Sequence, residues 1–183
     1  MRLTRFAYYS DFVAYPFAVS ALTVIDFGHL EHQTIGWLSA CVAGLVVWTL
    51  LEYALHRIAL HRMPVFSPLH ALHHGAPLEL IGTPAWVSVP VWCGTILVPL
   101  WALLGQNIAT GITIGVMLGY WWYGLVHHII HHCAHTGSSA YFKRLRAWHM
   151  RHHHSPKHGN FGVTTRMWDH LFGTAIDIRN KPW

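Results

Sequence analysis

Four long apolar stretches dominate the chain: Phe12 to Phe27, Ile35 to Leu55, Ala85 to Leu104 and Ile108 to Val126. Each approaches the ~20 residues that a helix needs to cross a bilayer, so the pattern predicts four membrane-spanning helices. Pro16, near the start of the first, predicts a bend. Pro90 and Pro99 in the third are tolerable where neighbouring helices satisfy the carbonyls they free. Arg2 and Arg5 ahead of an apolar stretch resemble the start of a signal peptide, but no small-x-small cleavage site follows, so a retained anchor is expected. Only the tail from Gly137 reads as aqueous-phase protein. A basic helix from about Ser139 to His154 is expected there, laying Lys143, Arg144, Arg146 and Arg151 against anionic headgroups. No repeat or low-complexity linker divides the chain, and a single domain over residues 1–183 is expected.

Composition strengthens this reading. Of 183 residues, 53% are hydrophobic and only 10% charged, against about one-quarter charged in a soluble domain, which excludes an ordinary water-soluble globule. The 12 Lys and Arg outnumber 7 Asp and Glu, yet they are too sparse for a nucleic-acid-binding arm, and no nucleic-acid partner is expected. Their placement is informative. Arg2 and Arg5 precede the first span, Arg57 and Arg62 follow the second, and the other eight follow the fourth, whereas the turns 28–34 and 105–107 contain none. The positive-inside rule then puts both termini, the connection between spans two and three, and the tail from about His127 in the cytoplasm. The expected class is an all-α integral membrane protein: four transmembrane helices with a cytoplasmic His-rich helical cap. Cys41, Cys93 and Cys133 form no CxxC pair, so neither a disulfide framework nor a thiolate zinc site is signalled.

Histidine is the anomaly, with 18 in the chain, all but His29 and His32 on the cytoplasmic side. Those two read as solvated turn residues. The rest form four clusters: His56 and His61 in LEYALHRIALH, His70, His73 and His74 in SPLHALHHGAP, a run in VHHIIHHCAH, and His149, His152 and His153 in WHMRHHHSPKHG. Residues i, i+3 and i+4 share a helical face, so each HxxHH is expected to aim three imidazoles at one point. His56 and His61 are five apart, about 140° on an ideal helix. One must sit past the helix end, or the helix must be distorted. In the third cluster, spacing leaves open whether the working face is 127/131 or 128/132/135. Imidazole suits iron, zinc, copper and nickel, and so many histidines fit two ions, each with an open position. The absence of a cysteine motif argues against an iron-sulfur cluster.

The residues resemble the fatty acid hydroxylase/sterol desaturase superfamily of membrane di-iron oxygenases, most closely its fatty acid 2-hydroxylase branch. The resemblance runs over residues 52–174, through EYALHRIALH, HALHHGAP followed by Glu79 and the Thr83-Pro84 pair, GYWWYGLVHHIIHH, WHMRHHH and NFGVTTRMWDHLFGT. It implies ten metal ligands: His56, His61, His70, His73, His74, His127, His131, His149, His152 and His153. It thereby selects the 127/131 face. His132 completes a family HH pair and is expected just behind the ligands, His128 and His135 share its helical face and not that of His127, and His154, His158 and His170 are expected to be peripheral. Departures are Gly124 where the family commonly has Asp, His128 in place of Tyr, a short connection from His61 to His70, and a first span that starts too early for a preceding cytochrome b5-like domain. Glu52, one turn before His56, and Asp169 could each accept a ring N–H and fix a ligand's tautomer. Asp169 could instead cap a turn.

The resemblance implies two metal ions, iron expected although zinc binds such sites readily, with O2 as co-substrate. It also implies a lipid substrate met within the bilayer and a separate cytochrome b5-like or ferredoxin-like electron donor. An unactivated C–H bond yields to a redox metal and not to a side-chain base, so hydroxylation of a lipid acyl chain, at C2 in the nearest branch, is the expected reaction. Competing readings are a sterol or carotenoid hydroxylase or desaturase built on the same site, a His-rich metal transporter, and a bis-histidine haem protein. Transporters place ionisable groups at mid-membrane and a haem protein needs inward pairs along the spans, whereas these histidines gather at one end.

Overall fold

The computed structural model describes residues 2–28, 33–133 and 139–176. His29, His32, His135, Arg179 and Lys181 lie outside them. Among the described residues the elements are helices, with a single isolated antiparallel bridge between Arg2 and Ile81. In chain order they are α1 (Arg5–Phe27), α2 (Thr34–Ala54) continued by a π-helical turn (Leu55–Leu60), α3 (Ser67–Gly75), α4 (Ala85–Trp92), a second π turn (Cys93–Leu97), α5 (Val98–Leu104), α6 (Gln106–His132), α7 (Ala140–His154) and α8 (Met167–Leu171). Four helical stretches are long and apolar enough to cross a membrane: Arg5–Phe27, Thr34–Leu60, Ala85–Leu104 and Gln106–His132. The chain divides into two compact units, Met1–Trp48 with Leu80–Trp122, and Thr49–Glu79 with Tyr123–Trp183.

In the first unit α1 starts seven residues before the expected Phe12. Thr4 is the reason: extended at φ −66°, ψ 160°, its side chain accepts the Ala7 N–H at 3.2 Å and so satisfies one of the donors a helix start leaves orphaned. Asp11 therefore falls inside the helix, where it accepts from the Tyr120 hydroxyl at 3.2 Å. Pro16 cannot donate to Phe12 C=O four residues back, and the Trp121 indole N–H takes that carbonyl instead at 3.3 Å. Phe6, Val13, Phe17 and Val24 are left exposed along α1, as a lipid-facing surface requires. Without a hydrophobic drive between helices in lipid, close approach depends on small residues. A Cβ on Gly44 would stand 2.2 Å from Ile112 O, and one on Gly115 2.2 Å from Cys41 O, so α2 touches α6 backbone to backbone.

The second unit carries the aqueous-type core: Val126, Ile130, Leu145 and Val163, with Tyr123, Phe142 and Met150 packed against them. The basic helix is present as α7, but it is not the all-exposed basic face expected from the sequence. Lys143 and Arg144 are exposed, whereas Arg146 donates to Cys133 C=O at 2.8 Å and Arg151 is buried. Leu145, Trp148, His149 and His152 are buried on the same helix, so α7 is a packed element and not one lying free on a lipid surface.

Candidate metal centre

The five-residue spacing of His56 and His61 is accommodated by distortion of the helix itself. Residues Leu55–Leu60 form a π turn, and beyond it the Met63 N–H reaches Ile58 C=O five residues back at 3.2 Å. A turn bonded i to i+5 stacks residue i+5 over residue i, and the two rings lie 5.2 Å apart, tilted by only 28°. Single π turns of this kind occur mostly at functional sites.

All ten expected histidines are brought together, in two groups of five: His56, His61, His70, His74 and His152, and His73, His127, His131, His149 and His153. Within each group one nitrogen per ring lies within 4.8 Å of every other. The HxxHH segments do not aim all three rings at one point, as expected from the sequence. His70 and His74 join the first group and His73 the second; His149 and His153 join the second and His152 the first. The reason is angular. Residue i+4 lies about 40° to one side of residue i and i+3 about 60° to the other, so i+3 and i+4 diverge by about 100°. Each such helix therefore serves two centres, as a pair and a single. The rings of His74 and His153, one from each group, stack at 4.3 Å.

The inward nitrogens crowd together. Nε2 of His70 lies 3.0 Å from that of His56 and 3.1 Å from that of His74, and His61 and His152 meet at 3.1 Å. In the second group His149 Nε2 is 2.9 Å from His131 and 3.1 Å from His153, and the buried His73 Nε2 has no hydrogen-bond partner. Ligand nitrogens at about 2.05 Å from one ion stand about 2.9 Å apart at right angles, so these spacings suit imidazoles sharing a cation. A ring nitrogen carries at most one proton, and one N–H on His70 cannot serve both neighbours. Protonation is also disfavoured. Burial, reinforced by neighbouring imidazoles, pushes His61 and His73 down to about 4, His152 to about 3 and His70 to about 2, and lowers His74, His149 and His153 as well. The rings are neutral at pH 7, the form that binds metal.

Residues 41–174 match the fatty acid hydroxylase family. The chain belongs to that family. It is 33% identical over 151 residues to the dihydroceramide fatty acyl 2-hydroxylase FAH2 of Arabidopsis thaliana, covering 74% of this chain and 60% of the relative. It is 32% identical to the fatty acid 2-hydroxylase of Rattus norvegicus, covering 77% of this chain and 40% of that one. The ceramide very long chain fatty acid hydroxylase scs7 of Schizosaccharomyces pombe is 30% identical, over 81% of this chain and 49% of its own length. The chain thus spans about half the length of these curated relatives. The solved structure of full-length scs7p, in which only the hydroxylase domain is visible, superposes with a TM-score of 0.78 at 28% identity, over 96% of this chain and 69% of that one.

In this fatty acid hydroxylase family member, a loop that follows the last histidines holds part of the first group in place. Phe161 C=O stands 2.6 Å from His56 Nδ1 and Gly159 C=O 2.8 Å from His152 Nδ1. A carbonyl only accepts, so both Nδ1 atoms carry the proton and both Nε2 lone pairs face the group. Neither carboxylate named from the sequence is what fixes these two tautomers. Glu52 accepts from the backbone of Val163 (2.6 Å) and Thr164 (2.9 Å) and from the Thr164 hydroxyl (2.5 Å). Asp169, fully buried, accepts from Phe161 N–H and Gly162 N–H at 2.8 Å each and from the Thr174 hydroxyl at 2.7 Å. Both acids pin the loop whose carbonyls orient the imidazoles. Asn160, at φ 57°, completes the clamp through Trp148 C=O and the Ile176 N–H. The roles of Gly159, Asn160 and Phe161 were missed in the sequence, where the signal was the Asn160-Phe161-Gly162 segment shortly before Asp169.

The other described histidines stay outside both groups. His128 and His132 stack on each other at 4.6 Å, His154 lies 6.3 Å from His153, His158 lies 6.0 Å from His61, and His170 packs on Trp148 at 5.5 Å.

Proposed function

We propose that the chain is the membrane-embedded catalytic portion of an O2-dependent di-iron hydroxylase acting on lipid acyl chains, with C2 as the position oxidised. The observation that carries this reading is the pair of adjacent five-imidazole groups, each free of thiolates and carboxylates. His56, His61, His70, His74 and His152 would hold one iron, and His73, His127, His131, His149 and His153 the other. When bound, the pair supplies the reduction of O2 and the oxidising power that an unactivated C–H bond demands. The protein's own part is physical. Neutral rings present lone pairs, the carbonyls of Gly159 and Phe161 hold two of them in register, and burial of His70, His73, His149 and His152 keeps water away. The relatives named for 2-hydroxylation of fatty acyl and ceramide substrates support the substrate class. The charge distribution supports a cytoplasmic site with both termini on that side, where a soluble cytochrome b5-like or ferredoxin-like donor delivers electrons.

The test is lipid mass spectrometry on a host expressing the wild type or a His152→Ala/His153→Ala pair, supplied with an electron donor. A +16 shift on acyl chains with the wild type alone is expected. Undiminished product and metal content in the double variant would overturn the assignment, and a shift on a sterol or carotenoid instead would replace the substrate class.

A further inference from the structure

The ten grouped histidines leave one chemically dense segment unexplained. Between the end of α7 and the carbonyl loop runs His154-Ser155-Pro156-Lys157-His158, in which His154, Pro156, Lys157 and His158 are exposed. The turn is preformed: Ser155 N–H closes on Arg151 C=O at 2.9 Å, Lys157 N–H donates to Ser155 Oγ at 3.1 Å, and Pro156 limits the backbone between them. Its two exposed imidazoles lie nearest different groups. His158 lies 6.0 Å from His61 of the first group, and His154 6.3 Å from His153 of the second. Lys157 lies between them in the sequence and, with His158, Gly173, Thr174, Ala175 and Ile176, lines an open cleft.

The exposed charge of the second unit is mainly basic. Among the described residues of the second unit, Arg62, Lys143, Arg144 and Lys157 are exposed, while Glu52 and Asp169 are buried and already engaged, leaving Glu79 as the exposed acid. Such a surface steers an anionic partner. An anionic membrane would satisfy the charge, but it gives no reason for an exposed ring beside each histidine group. A protein that passes electrons does.

We propose that the His154–His158 turn is the docking site of an acidic one-electron carrier protein, with Lys157 as the steering charge and His158 and His154 as the ring contacts toward the first and second groups. The inference rests on the hydroxylase reading above and adds the place where its reductant lands. At each docking the carrier is oxidised by one electron and the metal pair reduced by one, so two dockings supply one turnover.

The test uses the full chain in nanodiscs of zwitterionic lipid, with the soluble haem domain of a cytochrome b5 and a [2Fe–2S] ferredoxin as probes. Carrier affinity is measured on the metal-free protein, and the rate of metal reduction by stopped-flow on the loaded one. For wild type, affinity should fall as salt rises; Lys157→Glu should weaken binding and slow carrier-driven reduction about tenfold at low ionic strength, with reduction by dithionite and the melting temperature unchanged. His158→Ala should slow carrier-driven reduction with less effect on affinity. Unchanged carrier affinity and reduction rate in Lys157→Glu would overturn the proposal, as would a loss confined to binding of anionic vesicles, which would make the turn a lipid contact. Failure of dithionite-reduced wild type to form any oxidised lipid would instead count against the hydroxylase reading, since that assay needs no docking.

Discussion

The two histidine groups use the same side chain five times each, yet they are held by different means. The second draws only on regular helices: His73 from α3, His127 and His131 from α6, and His149 and His153 from α7. Its geometry is i, i+4 spacing plus one stray i+3 residue. The first depends on a π turn for His56 and His61 and on loop carbonyls for His56 and His152. In the second, Nδ1 of His149 and of His153 is buried without a hydrogen-bond partner. Helix packing alone can orient a ligand ring, whereas a distorted turn and a loop need outer hydrogen bonds to do so. The first group is thereby tied to the loop after α7 by direct hydrogen bonds from its rings.

The largest effect should come from removing one imidazole from either side. His70→Ala and His149→Ala are each expected to lower bound metal from two ions to about one and product formation by more than ~100-fold, read by elemental analysis and lipid mass spectrometry. Equal loss of both ions in each variant would show the groups to be one cooperative site. Asp169→Ala separates them better. It leaves Phe161 N–H, Gly162 N–H and the Thr174 hydroxyl unpaired, at a cost of about 3–5 kcal/mol, and should weaken metal binding in the first group about 10–100-fold while sparing the second. Metal titration followed by melting curves checks both.

Protons give a subtler contrast. The imidazoles of His61 and His73, one from each group, sit at about 4 in the fold, below the 6.5 of an unfolded chain. Protons then bind the unfolded state more tightly. Metal-free protein should hold full stability above about pH 6.5 and lose it as pH falls toward about 4, with further loss from His152 and His70 below that. Melting temperatures of the metal-free protein between pH 7.5 and 5 should decline in a single phase, because both groups contain a residue of similar shift; metal-loaded protein should decline less. The smallest effect belongs to His128→Ala. His128 stacks on His132 outside both groups, so two ions should remain bound and product should stay within about threefold of wild type.

Much of this architecture is legible in one dimension because the bilayer is a strict solvent. Apolar runs at 35–55, 85–104 and 108–126 correspond to helices Thr34–Leu60, Ala85–Leu104 and Gln106–His132, with ends that run further than hydropathy alone reaches. The extensions of the second and fourth spans mix histidine with apolar residues, and they carry His56, His127 and His131. The 127/131 pairing also follows once the family resemblance selects a helical face. Less visible was the surface of α7, where Arg146 and Arg151 read as lipid-facing charges but turn into the protein, since local charge pattern does not report what packs against a helix.

Sequence, with the family resemblance it carries, established which atoms are available: ten imidazoles, all but His56 and His61 at helical spacings. Which ring joins which centre depended on tertiary structure, because a 100° divergence between neighbouring positions acquires meaning only when another helix stands on each side. The π turn at Leu55–Leu60 and the carbonyls of Gly159 and Phe161 belong to the same category. Backbone groups carry no side-chain identity, and their direction is set by contacts more than a hundred residues apart, such as Glu52 with Val163 and Thr164.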